Sequence, residues 1–209
     1  IAPIVVTATR TESRLLEVPA PITVVAPAEI ETAAAPDLVD LLRSRAGIQA
    51  RDLFGDGSAA AIVSTKIPSR AAFLSCHFDS KPSGWVKVGI GYDWYFNQDG
   101  NAVQGFAIRQ TTESVKVLQN LFAADAKRFI FIGHQANLMM LKTVSERRGI
   151  APENHWYNVD QFGNTGCCSA PTVLSRHWEE LQAGDRIAIA IVGAGLSWAH
   201  MMLKVEENK

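Results

Sequence analysis

RFIFIGHQAN, residues 128–137, decides how the rest of the chain is read. RFIFIG (128–133) is a short apolar run rich in β-favouring residues, the pattern of a strand buried on both faces. It delivers His134 to its C-terminal end, and the apolar spacing that follows predicts a helix over Leu138–Arg148. Ligand sites of open α/β sheets gather at strand carboxyl ends. His134 is therefore a candidate functional residue, although FIGHQAN (131–137) fits equally well a polar turn that caps the helix.

Outward from this unit, AAAIVST (59–65), AAFLSCHF (71–78) and the less clearly alternating WVKVGIGYDWYF (85–96) read as strands. Helices are expected over Thr112–Ala123, with Val115, Leu118, Leu121 and Phe122 on one face, and over Ser169–Leu181. RIAIAIVG (186–193) and LSWAHMMLKV (196–205) read as closing strands. The alternation predicts an α/β domain over residues 53–209, a mixed five-stranded sheet with packed helices. Residues 1–52 differ. The first fifty contain no Trp, Tyr, Phe, Cys, Met, Asn or His, while all five Trp lie after residue 84. Strands at VVTATR (5–10) and ITVVA (22–26), then helices opened by Pro27 and Pro36, predict a small α+β segment there.

A net charge of −1 implies no broad basic surface, so no nucleic-acid partner is expected. No apolar run reaches the length of a membrane helix, so no membrane span is expected. Cys76, Cys167 and Cys168 lack both disulfide and zinc-ligand spacing, so no metal site is expected.

Two further stretches carry chemistry. In DQFGNTGCCSAP (160–171), Gly163 and Gly166 bracket Asn164 and allow close backbone approach to a ligand. A loop that merely starts a helix would look the same. In IVGAGLSWAH (191–200) a buried strand breaks at Gly193-Ala194-Gly195, a turn able to aim N–H groups at developing negative charge. No helix follows it, so it is not a dinucleotide fingerprint.

Taken in order, GHQAN, GNTG with its small-residue helix and the Gly-rich turn resemble the C-terminal half of β-ketoacyl-acyl-carrier-protein synthase III, a thiolase-fold family. The resemblance covers roughly residues 53–206. It implies half of a thiolase-like fold and decarboxylative condensation of acyl and malonyl thioesters. It also implies that His134 and Asn164 donate hydrogen bonds to the thioester oxygen. Gly193, Ala194 and Gly195 would supply a backbone N–H to the acyl group, and Asn137 would lie near the pantetheine arm. The substrates implied are pantetheine thioesters of CoA or acyl carrier protein, with no other cofactor, in the cytoplasm. The family's nucleophilic cysteine sits in the other half. Cys76 lies in an expected strand, and Cys167 and Cys168 stand where the family has small residues, so none is expected to replace it. A chain with one half should expose apolar surface and associate as a homo- or hetero-oligomer.

Residues 1–58 resemble the start of a TonB-dependent receptor plug, from VTATR through PAPITVV to LVDLLRSRAGIQA, with Arg45-Ala46-Gly47 where that family prefers Pro-Gly. That resemblance implies an outer-membrane or periplasmic setting for this segment alone. RDLFGDGSAAAIVST (51–65) fits both families, which marks it as the seam between two parts, whether joined by deliberate recombination, by natural fusion at similar sequence or by wrong assembly of a sequence.

Overall fold

Side chains alternate across a strand, so a run buried on both faces needs a layer on each side. The computed structural model describes residues 4–5, 13–14, 57–66, 68–90 and 96–207, and the chain separates into two units, Ile1–Arg51 and Asp52–Lys209. In the first unit, strands β1 (Ile4–Val5) and β2 (Ser13–Arg14) pair antiparallel. The expected strand at 22–26 and both expected helices lie outside the described residues, as does most of the strand at 5–10.

The second unit contains β3 (Ala71–Ser80), β4 (Val88–Ile90), β5 (Phe96–Gln98), α1 (Gly100–Phe122), β6 (Phe129–Gly133), α2 (Leu138–Arg147), α3 (Val159–Phe162), α4 (Ser169–Arg176), β7 (Arg186–Gly193) and β8 (Ser197–Val205). Its main sheet has the order β3-β8-β7-β6, and β4 and β5 form a separate pair. β6 runs parallel to β7, from Phe129↔Arg186 to Gly133↔Ala190, and the other neighbours are antiparallel. The sheet is mixed, with helices packed on it, as the sequence implies. Its strand number is four among the described residues. The segment 59–65, expected as a fifth strand, takes no strand pairing and leaves Ile62 90% and Val63 72% exposed. Three consecutive alanines offer little surface to bury and weak β preference, so the apolar run has little to hold it in a ladder.

Alternation along β6 sorts the core. Ile130 and Ile132 join Trp156, Ala170, Val173 and Leu181 on the α4 side. Phe131 joins Val115 of α1 and Leu141 and Val144 of α2 on the other. Each fully buried Ile, Val, Leu or Phe side chain among them contributes about 1.5–3 kcal/mol. Arg128 enters β6 by donating through Nε to Asp185 Oδ1 (3.0 Å) and through Nη2 to the Glu180 carbonyl (2.8 Å). Asp185, fully buried, also accepts from the Gln182 N–H at 2.8 Å, and this clamp fixes where β6 and β7 begin.

Helix α1 is twelve residues longer at its start than the stripe at Thr112–Ala123 indicates. Asp99 caps it by accepting from Ala102 N at 3.2 Å, with Phe106 and Ala107 buried in the added turns. Gly100 and Gly105 weaken helix propensity there and masked the signal. Helix α4 is shorter than expected and ends at Arg176, followed by a 3-10 turn at Trp178–Glu180. The stretch at 85–96 divides into a 3-10 turn (Pro82–Lys87), β4 and the start of β5, with residues 91–95 outside the described set. No helix among the described residues is long and apolar enough to cross a membrane.

Candidate active site

Because β6 and β7 are parallel, their C-terminal ends open at one edge of the sheet. His134 leaves β6 there and stays in register through its N–H, which donates to the Ala190 carbonyl at 3.0 Å. β7 runs on to Gly193, so the turn Ala194–Leu196 lies at the same edge. Burial holds the His134 imidazole below its usual pKa, so near neutral pH it is an uncharged ring with one N–H to donate.

Asn137 caps α2: its Oδ1 accepts from Met140 N at 3.1 Å, which leaves the side-chain NH2 to point elsewhere. Asn164 is arranged in the same sense. Its Oδ1 accepts from Gly166 N at 3.0 Å, which leaves the Nδ2 donor for another acceptor. Gly163 (φ +64°) and Gly166 (φ +62°) adopt the left-handed backbone that lets this loop fold around Asn164. The turn at Gly193–Gly195 is closed by Ser197, whose Oγ donates to the Ala194 carbonyl at 2.8 Å. Leu196 anchors it, accepting from Lys81 N at 2.7 Å and packing on buried Gly84, where any Cβ would come within 2.9 Å of the leucine Cγ.

The structure thus gathers His134, Asn137 and the Gly193–Gly195 turn around the carboxyl end of the parallel pair. Among the described residues no hydrogen bond joins the side chains of His134, Asn137 and Asn164 directly. The Asn164 loop is tied to the His134 loop by residues the sequence reading did not single out. Gln135 is fully buried, donating from Nε2 to the Gly133 carbonyl (2.7 Å) and accepting at Oε1 from Asn158 N (2.9 Å) and Val159 N (3.2 Å). Asn158, also buried, donates to Thr172 Oγ1 at 3.1 Å, and its Oδ1 is unpartnered. A polar residue in a turn reads as exposed, and only the folded loop reveals that these two amides face inward. A cleft of about 270 Å³ borders this loop, lined by Gly57, Phe162, Thr165, Thr172 and Arg176. A second, of about 360 Å³ between α1 and α2, includes none of the site residues.

None of the three cysteines is placed as an activated thiol. Cys76 is exposed on β3. Cys167 is exposed. Cys168 precedes α4, donates to the Gly57 carbonyl at 3.1 Å, and has its pKa raised by burial first and by Cys167 second.

Residues 120–205 match the family described as 3-Oxoacyl-acyl-carrier-protein (ACP) synthase III C terminal. The β-ketoacyl-acyl-carrier-protein synthase III of Oceanobacillus iheyensis is 30% identical over 155 residues, which cover 73% of this chain and 49% of the relative. The solved 3-oxoacyl-(acyl carrier protein) synthase III of Pseudomonas aeruginosa PAO1 superposes with TM-score 0.56 at 26% identity, over 66% of this chain and 45% of that one. The Thermus thermophilus synthase III gives TM-score 0.58 at 26% identity, over 68% and 49%. The C-terminal part of the chain is a synthase III-like domain of the thiolase fold, and the chain spans about half the length of the curated relatives it matches.

Proposed function

We propose that this domain carries the malonyl-thioester side of a decarboxylative condensation. The observation that carries the reading is the donor arrangement. Asn164 Oδ1 is occupied by the Gly166 N–H, which leaves the amide NH2 to donate elsewhere, and burial keeps His134 uncharged with one N–H to give. Two neutral donors suit an oxygen that becomes an enolate. The malonyl carboxylate leaves as CO2, and its bonding pair moves into the α-carbon and thioester oxygen. His134 and Asn164 stabilise that charge until the carbon is protonated or attacks an acyl group. Asn137, with its oxygen committed to the α2 cap, offers an NH2 to an amide of the pantetheine arm. The Gly193–Gly195 turn offers a backbone N–H to the acyl partner. The substrate class is a pantetheine thioester of CoA or acyl carrier protein.

Full condensation also needs a nucleophilic cysteine, which Cys76, Cys167 and Cys168 are not placed to supply. The activity proposed for this chain is therefore decarboxylation, with condensation dependent on a complementary half. Exposed apolar side chains support association with such a partner or with a second copy: Phe78 is 70% exposed on β3 and Trp85 71% beyond it. The composition break near residue 50 supports reading the first segment apart from the synthase-like domain.

The test is conversion of malonyl-CoA to acetyl-CoA by the purified chain. His134→Ala is expected to lower the rate by about 10²–10³, the usual cost of one lost donor at a developing oxyanion. A rate undiminished in the variant, or no conversion by the parent chain, overturns the reading.

A further inference from the structure

We propose that Gln135 is the positioning residue of this site: its buried amide fixes the loop carrying His134 to the loop carrying Asn164. The proposal rests on the assignment of those two residues above, but it concerns their geometry and needs no substrate to be read.

Gln135 has no exposed surface, so leaving its polar atoms unpaired would be costly. All its partners are main-chain groups. Nε2 donates to Gly133 O at the end of β6, and Oε1 accepts from the N–H groups of Asn158 and Val159. Those two N–H groups open α3, a four-residue helix too short to hold itself. Asn158 makes no side-chain cap for α3, so Gln135 provides the cap from the neighbouring loop.

From this anchor a series of hydrogen bonds, linked through the residues that make them, reaches the second donor. Asn158 Nδ2 donates to Thr172 Oγ1 (3.1 Å), and that hydroxyl donates to Ser169 O (2.8 Å). Ser169 Oγ donates to Gly166 O (2.6 Å), and Gly166 N donates to Asn164 Oδ1 (3.0 Å). One end lies next to His134 in sequence and the other is the side chain of Asn164. Asparagine is one methylene too short to span Gly133 O and Asn158 N together. Glutamate would bury a charge against the Gly133 carbonyl.

The test uses the full chain by NMR, with Gln135→Leu and Gln135→Met. Methionine keeps the unbranched shape and removes only the polar ends, so it decides the matter if leucine does not fold. Hydrogen exchange at the Asn158 and Val159 amides is expected to accelerate about tenfold once their acceptor is gone. The imidazole resonances of His134 and the side-chain amide resonances of Asn164 are expected to shift in the same variant. A role confined to stability would lower the melting temperature and leave those two side chains at their parent shifts. That result overturns the proposal. So does failure of both variants to fold, which would make Gln135 a determinant of the fold. Displacement of both side chains in a folded variant supports it even if malonyl-CoA proves not to be the substrate.

Discussion

Gly133→Ala is the substitution whose cost can be read most directly from the coordinates. Gly133 ends β6 immediately before His134, and Leu141 of α2 lies across it. A Cβ built there overlaps Leu141 Cδ2 and comes within 2.9 Å of Phe131 Cζ. Neither neighbour can step aside, because Leu141 and Phe131 are both fully buried between β6, α1 and α2. Carbon atoms in contact normally sit about 3.5–4.0 Å apart, so α2 must move by the better part of an ångström or more. Overpacking of this kind costs about 1–3 kcal/mol, and with two immobile neighbours about 2 kcal/mol is expected here. For a chain of this size that lowers the melting temperature by about 4–8 °C. The assay is thermal unfolding followed by circular dichroism, with urea titration as a second measure of the same difference. The displaced helix carries Asn137 at its first turn, so malonyl-CoA turnover should fall as well. An alanine variant with unchanged melting temperature and turnover would refute the claim that α2 rests on this glycine.

The other expectations are simpler. His155 is held at a pKa of about 4, by burial first and by the charge of Lys142 second. The unfolded chain takes up that proton near pH 6.5, so proton binding favours unfolding. The stability concerned is fully present above pH 6.5 and is lost as the pH falls toward 4, a difference of about 3 kcal/mol. His155→Phe, which keeps a ring between Phe131 and Tyr157, should flatten that part of the pH–stability curve. An unchanged slope in urea titrations at pH 7 and pH 4 would contradict the burial argument. Light scattering should show the chain larger than a monomer, and Phe78→Ser with Trp85→Ser should shift it toward monomer. A monodisperse monomer of the parent chain would count against association through those side chains.

The parts of this fold legible in the sequence are those where one physical pattern dominates. FIFIG could hardly be anything but a buried strand, and RIAIAIVG followed by a glycine turn declares a hairpin, so the sheet edge holding His134 and Gly193–Gly195 was readable. The first half of α1 was not, because Gly100 and Gly105 dilute the helical stripe that Phe106 and Ala107 complete. The segment 59–65 misled in the opposite direction: its apolar letters lack partners in space, and pairing is not a local property. Within the site, His134 and Asn164 stand out because they sit beside glycines. Gln135 and Asn158 do not, since a buried amide and an exposed one are written with the same letter. What distinguishes them is the contact between residues 135 and 158, which only the folded chain brings about.

The strand order has a consequence for how the domain is made. β8, the last of the described strands, is an interior strand, with β3 on one side and β7 on the other. β7 and β8 are joined by the three-residue turn Ala194–Leu196, so closing that hairpin demands little loop entropy. β3 has no such short route, because Ala71 must find Val205. During synthesis β3 is therefore produced before β8, and the ladder groups it offers to β8 stay unpaired until that strand follows. The β7–β8 hairpin therefore closes at the lower cost in loop entropy, and β3 has to be brought to it across a far longer stretch of chain. Until β8 follows, β3 offers an unpaired edge to other chains, so the interval of translation between the two strands is where mispairing threatens the yield.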